Sequence, residues 1–323
     1  MTPARTRHAK AISRARVARP ESGFSITEIC APSQEKPSVH LVRRQGPHTY
    51  RHLFIADPHI DHPSFETVGL PLLQADLNEA VACGATIHLI GDLFDVMQSK
   101  DDPRASLGGL IASVNGIDYL DRCVNFAVQL LAPYAEHIAL ISDGNHETNI
   151  LKRKHTDLVG RVCEGLRPYG FKGHRGWYQG WLILQQTLGD MEDLDREDKR
   201  RSLKIFYHHG TGGASPRSRG TLGMMKLADQ AEGADIIISG HLHMGVSFPL
   251  HRYTLDNKYQ PRTRTILLAR TGTYKDDSGS GGWGVEKGFG PPTLGGVWLE
   301  YTMTTHEAGM RARMWATDAA LMR

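Results

Sequence analysis

Oxygen and imidazole donors recur along the 323-residue chain at short spacings. Asp57-x-His59, Asp92-x-x-Asp95, Asn145-His146, His208-His209 and His241-x-His243 make five such clusters. None contains sulfur. Carboxylate, amide and imidazole together suit Mn2+, Fe or Zn2+ better than Ca2+ or Mg2+ alone, because imidazole favours transition metals. Asp57, His59, Asp92, Asn145, one of His208 and His209, His241 and His243 are too many ligands for one tetrahedral ion. They suit two divalent ions sharing a bridging carboxylate, about 3.5–4 Å apart, that together activate a water for attack on phosphorus. Each cluster alone has an ordinary reading. An Asp-x-His triplet is commonly a turn, Asp92 and Asp95 can cap a helix, and His-x-His arises by chance. Five clusters at the ends of strand-like runs favour one shared site.

Those runs define the elements that must position the site. His52–Ala56, Thr86–Ile90 and Ile138–Ser142 read as buried strands. Helical segments follow at Leu72–Cys83, Ile117–Ala135 and Asn149–Leu166. The repeat of strand, cluster and helix predicts a parallel α/β sheet, in which ligands gather at the carboxyl ends of the strands. The second half is richer in strands: Trp181–Gln185, Leu203–Tyr207, Ala234–Ser239, Val246–Leu250, Thr265–Ala269 and Gly296–Tyr301, with one short helix at Leu222–Ala231. Gly144-Asn145-His146-Glu147 sits at a strand-to-helix turn, where glycine permits a sharp change of direction. The charged stretch Asp190–Arg201 reads as a solvated loop, and Thr271–Pro292 as a Gly-rich loop or lid.

Composition describes an ordinary globular chain, 40% hydrophobic and 23% charged. No apolar run approaches the roughly 18 residues of a membrane helix. Cys30, Cys83, Cys123 and Cys163 form no C-x-x-C pair, which predicts reduced thiols and a cytoplasmic setting. Arg5, Arg7, Lys10, Arg14, Arg16 and Arg19 precede the first acid. These six charges exceed the net +3 and leave residues 21–323 at −3. Residues 1–20 are read as a solvated basic arm, with a nucleic-acid contact or a transit peptide as alternatives. Residues 21–48 read as short strands and turns leading into one domain, 49–323.

In its five motifs the chain resembles the calcineurin-like metallophosphoesterase superfamily, over residues 57–243. Its C-terminal Lys287-Gly-Phe-Gly-Pro-Pro292 run is similar, more loosely, to small phage and bacterial metallophosphoesterases. The resemblance implies a four-layer α/β/β/α sandwich of two mixed β-sheets. It implies a first metal held by Asp57, His59, Asp92 and His243, and a second by Asp92, Asn145, His209 and His241, with Asp92 bridging. His209 is preferred to His208 because the family's lone His commonly precedes Gly. His146 would protonate the leaving oxygen or stabilise the transition state, with Asp95 orienting its ring, while a metal-bridging hydroxide attacks phosphorus. Glu147 would be a supporting or helix-N-terminal carboxylate. Mn2+ is the expected ion, with Fe, Zn2+ or Ni2+ as alternatives.

Among substrates, Val96-Met97 replaces the Arg-Gly of protein Ser/Thr phosphatases, His146 argues against lipid-A-precursor pyrophosphatases, and Asp95 stands where double-strand-break nucleases often carry His. The expected reaction is phosphodiester hydrolysis on nucleotides or nucleic acid. A phosphomonoesterase on a small metabolite and a non-catalytic metal-binding scaffold are the alternatives. Arg104, Lys152, Arg153, Arg217, Ser218, Arg219 and Lys275 are candidate substrate contacts, each also readable as solvated surface. No membrane partner is expected, and the oligomeric state is left open.

Overall fold

A computed structural model describes residues 23–33, 36–45, 49–97, 110–187, 200–213, 217–276, 278–279 and 290–302. The basic arm, Arg104, most of the charged stretch and part of the Gly-rich loop lie outside the described residues. In chain order the strands are β1 (Phe24–Cys30), β2 (Ser38–Gln45), β3 (Thr49–Ile55), β4 (Thr86–Ile90), β5 (Ile138–Ser142), β6 (His174–Gly176), β7 (Gln179–Thr187), β8 (Arg200–His208), β9 (Ile236–Ser239), β10 (Val246–Leu255), β11 (Pro261–Arg270) and β12 (Val297–Thr302). The α-helices are α1 (Leu70–Ala82), α2 (Tyr119–Leu131), α3 (Asn145–Lys154), α4 (Leu158–Leu166) and α5 (Thr221–Gln230).

The strands form two mixed sheets. One has seven strands in the order β1-β2-β7-β8-β9-β11-β10, the other five in the order β12-β3-β4-β5-β6. Within the smaller sheet β3, β4, β5 and β6 are parallel and β12 is antiparallel. Within the larger, β8, β9 and β11 are parallel. Three apolar clusters lie between four layers. Leu73, Leu77, Val124, Val159 and Val162 of α1, α2 and α4 pack on Leu53, Ile55, Ile87 and Leu89 of the smaller sheet. Phe54, Ile90 and Leu140 meet Leu182, Ile205 and Ile236 between the sheets. Met224, Leu227 and Ala228 of α5 cover Phe206, Ile237 and Leu268 on the far face of the larger sheet. The fold is therefore an α/β/β/α sandwich. Central parallel strands covered on both faces need apolar residues throughout, and every residue of β4, β5 and β9 is buried.

Two local readings change. Phe24–Cys30 and Ser38–Gln45 are not merely a lead-in: β2 pairs in parallel with β7 and so joins the larger sheet. The helix expected over Asn149–Leu166 is two helices. His155 adopts a left-handed φ of 54° that ends α3, and the Asp157 carboxylate caps α4 by accepting from Gly160 N–H at 2.9 Å. Among the described residues no helix is long and apolar enough to cross a membrane.

His40 on β2 is fully buried, and neither ring nitrogen has a hydrogen-bond partner among the described residues. Burial, aided by His174, lowers its pKa to about 4. The unfolded chain, with an ordinary histidine pKa, therefore binds the proton more readily than the folded one. Stability attributable to His40 is complete above pH about 6.5 and falls as pH drops toward 4, by about 1.4 kcal/mol per unit. Between pH 6.5 and 5 the loss is about 2 kcal/mol. Denaturant unfolding of wild type and His40→Phe at both pH values checks this; the variant's acid-induced loss is expected to be smaller by that amount.

Candidate metal centre

The five clusters meet at one edge of the sandwich. Asp57 and His59 follow β3, Asp92 and Asp95 follow β4, and Asn145 and His146 open α3 just after β5. His208 and His209 end β8, and His241 and His243 follow β9. Three carboxyl ends come from one sheet and two from the other. Chains leaving parallel strands must turn within one or two residues to face across this edge. Asp57, His59, Asp92, Val96, His241 and His243 all do so with positive φ, between 37° and 76°. Such angles are uncommon outside glycine and persist where surrounding contacts enforce them.

The side chains then converge. His59 Nε2 lies 3.2 Å from His243 Nε2. Asp57 Oδ1 is 3.6 Å from His243 Nε2 and 3.9 Å from the Nε2 atoms of both His59 and His209. Asp57 is buried, and Oδ1 accepts no hydrogen bond among the described residues. Imidazole nitrogens surrounding an orphaned carboxylate oxygen, too far off to donate to it, match donors that share a cation. His209 Nε2 sits 3.1 Å from both Asp92 Oδ2 and Asn145 Oδ1. Asp57–His59–His243 and Asp92–His209–His241 each gather donor atoms closely enough to hold an ion. The donor set thus fits divalent-metal binding.

Outer contacts aim the ligands. His209 Nδ1 donates to the Ile90 carbonyl at 2.9 Å, which leaves Nε2 for the site. Asp57 Oδ2 accepts from His241 N–H at 2.7 Å. His241 Nε2 donates to the Gly212 carbonyl at 3.1 Å, leaving Nδ1 unprotonated. His208 points away: its Nδ1 accepts from Gly210 N–H, and its ring packs edge-on against Tyr178. Burial lowers the His209 pKa, but Asp92 and Asp57 outweigh it and push it up to about 10. Burial likewise works against ionisation of Asp92, yet His146 and His209 hold it well below the usual carboxylate range. This dense negative field is one a divalent cation would answer. A Cβ at Gly144 would overlap Asp92, so only glycine lets the β5–α3 turn approach the carboxylate.

Glu147 ties two motif loops together. Its buried carboxylate accepts from Asp92 N–H (3.1 Å), Phe94 N–H (2.9 Å) and Gly144 N–H (2.7 Å). Burial and the neighbouring Asp92 raise its pKa to about 8, against the pull of the main-chain donors. In Glu147→Gln an amide NH2 must face at least one of three N–H donors. The expected cost is about 2–3 kcal/mol of unfolding free energy, read from denaturant midpoints, with weaker metal retention.

Asp95 differs from the sequence expectation. Its carboxylate does not orient His146. Oδ1 lies 3.1 Å from His59 Nδ1 and 3.0 Å from Lys275 Nζ, and His146 Nδ1 donates instead to the Asp95 main-chain carbonyl. The cause is Asp61. Its buried carboxylate accepts from Asp95 N–H (2.5 Å), Val96 N–H (2.9 Å) and the Tyr119 hydroxyl (2.5 Å). That clamp sets the turn so that the carbonyl faces His146 and the side chain folds back. His59, Asp95 and His146 form a third close cluster of donors.

Asp61 was missed by motif reading, because it lies in a turn after His59 and no local spacing marks its reach to Asp95 and Val96. Lys275, a candidate substrate contact from sequence, is buried against Asp95. Its neighbours Thr273 and Tyr274 both donate to the Asp57 carbonyl. Lys152 lines a hollow beside His146. The Arg219 carbonyl accepts from the buried Arg270 guanidinium.

Comparison with protein families finds no match, and comparison with curated proteins finds none either. Among solved structures the chain is similar to a conserved uncharacterised protein of Streptococcus pneumoniae, described as a predicted phosphoesterase, at 13% identity and TM-score 0.31, covering 84% of this chain and 100% of that one. It is similar to GAP50 of Plasmodium, described as the anchor in the inner membrane complex, at 11% identity and TM-score 0.37, covering 84% and 89%. It is also similar to a metallophosphoesterase from Sphaerobacter thermophilus at 14% identity and TM-score 0.32, covering 81% and 89%. In its five motifs, and in the four-layer sandwich that carries them, the chain resembles the calcineurin-like metallophosphoesterases.

Proposed function

We propose that the protein is a metal-dependent phosphoester hydrolase with a dinuclear centre, acting as a phosphodiesterase on nucleotides or nucleic acid. The observation that carries this reading is the meeting of five strand ends at one site, with Asp57 Oδ1 orphaned among the imidazoles of His59, His209 and His243. Asp57, His59, His243 and Asp92 would hold one ion, and Asp92, Asn145, His209 and His241 the other. Bound divalent ions, Mn2+ foremost, would supply a water acidic enough to act as nucleophile near neutral pH and would offset phosphate charge. His146 Nδ1 is committed to the Asp95 carbonyl, so Nε2 is the nitrogen left to give a proton to the leaving oxygen.

A diester is favoured because the cations packed against the donor cluster are engaged, while Lys152, unpaired among the described residues, starts about 10 Å along α3 from Asn145. Lys275 is paired with Asp95, and Arg270 donates to the carbonyls of Met244 and Arg219. A monoester dianion would need a further cation for its second charge. The test compares bis-p-nitrophenyl phosphate with p-nitrophenyl phosphate after chelation and Mn2+ return. Activity should vanish with chelator, recover with Mn2+ and favour the diester. Monoester preference would reverse the order of the two enzymatic readings. Metal binding without hydrolysis of either substrate would indicate a scaffold.

A further inference from the structure

We propose that the hollow beside His146 is a leaving-group subsite, shaped for a leaving group that carries its own phosphate, as the next nucleotide of a chain does. The proposal rests on the phosphodiesterase reading above. The hollow measures about 330 Å³ and is lined in part by His146. That is at the small end of ligand pockets, which run to about 1,000 Å³, and it suits one nucleoside rather than a long chain.

Its lining residues differ in chemistry. Val96 and Met97 are its apolar lining residues; Val96 is buried, so the half-buried Met97 offers the apolar contact for a base or sugar. Thr148, Asn149 and Lys152 line it from α3, Lys152 lying four residues after Thr148 and three after Asn149. A helix rises about 1.5 Å per residue, so Lys152 starts about 10 Å beyond Asn145 along the axis. A sugar fits between a phosphate at the metal centre and that ammonium. Basic residues in a last helical turn are ordinary, and α3 ends in Lys152, Arg153 and Lys154. Lys152 differs from the other two: it lines the hollow and has no ion-pair partner among the described residues. The Asn149 carboxamide is likewise unengaged among them. Asp95 does not cancel the charge, because its carboxylate is turned toward His59 and Lys275. The Val96–Met97 segment is held in place. Val96 keeps a φ of 37°, unusual for a β-branched residue, and the Asp61 clamp enforces it.

The test uses the full chain with Mn2+ and two substrates, a thymidine dinucleotide phosphorylated at both ends and the same dinucleotide with free ends. Bis-p-nitrophenyl phosphate reports the underlying chemistry. Wild type is expected to prefer the phosphorylated dinucleotide by about tenfold in kcat/KM, the scale of one charge-assisted contact. In Lys152→Ala that preference should collapse to about twofold, and Lys152→Arg should restore most of it. The subsite is overturned if wild type cleaves bis-p-nitrophenyl phosphate but ignores the end phosphates, or if the preference survives Lys152→Ala. Failure to cleave any diester overturns the phosphodiesterase reading itself, and the subsite with it.

Discussion

Asp92→Asn is expected to lower kcat/KM on a phosphodiester about a thousandfold or more, equivalent to about 4 kcal/mol of transition-state stabilisation, while the chain stays folded. Asp92 is buried between two imidazoles: Oδ2 lies 3.1 Å from His209 Nε2 and 3.6 Å from His146 Nε2. Oδ1 accepts from His146 N–H at 3.0 Å. Asparagine can keep the Oδ1 contact, so the turn into α3 survives. It replaces Oδ2 with an NH2 that can neither bind a cation nor offset its charge. Asp92 is held as an anion by His146 and His209, so losing its charge costs the metal-free protein stability, and the variant should melt below wild type while remaining folded. Metal content by mass spectrometry, circular dichroism and steady-state kinetics check the three parts. Near-wild-type turnover with a full metal complement would sink the assignment of Asp92.

His146→Gln is the second large effect, about 10²–10⁴ in kcat. Its signature differs from that of Asp92→Asn. If His146 gives a proton to the leaving oxygen, metal content should be unchanged. The loss should be greatest for alkoxide leaving groups and smallest for p-nitrophenolate, which departs without a proton. If His146 instead joins His59 and Asp95 around an ion, the variant should lose metal, and both substrates should suffer alike. A loss of the second kind would move His146 from proton donor to ligand.

The two variants also show which parts of the site are local and which are not. The Asp92 position is readable because Thr86–Ile90 is a fully buried parallel strand, and such strands are continuous apolar runs with an abrupt polar end. The same holds for β5 and β9, whereas β3 and β8 become apolar and buried only toward their carboxyl ends. The surroundings of His146 are not readable in this way. The resemblance suggested the Asp95 carboxylate as its partner. The structure supplies a carbonyl instead, because Asp61, 34 residues earlier, captures the two N–H groups of the turn. The carboxylate goes to Lys275, 180 residues later. Nothing local in Thr273-Tyr-Lys275 signals that pairing, which exists because Thr273 and Tyr274 are tied to the strand end at Asp57.

The sequence by itself determined the order of strands and helices through most of the chain, the donor types, and the edge of the sheet where those donors lie. These depend on apolar periodicity and on chain direction, which neighbouring residues carry. Tertiary structure alone decided that β1 and β2 extend the larger sheet, that α3 and α4 are separate helices, and which partner each buried carboxylate takes. An edge strand such as β1, half-exposed along its length, has a weak pattern. Partner choice among buried charges depends on which distant segments reach hydrogen-bonding distance once the layers have packed.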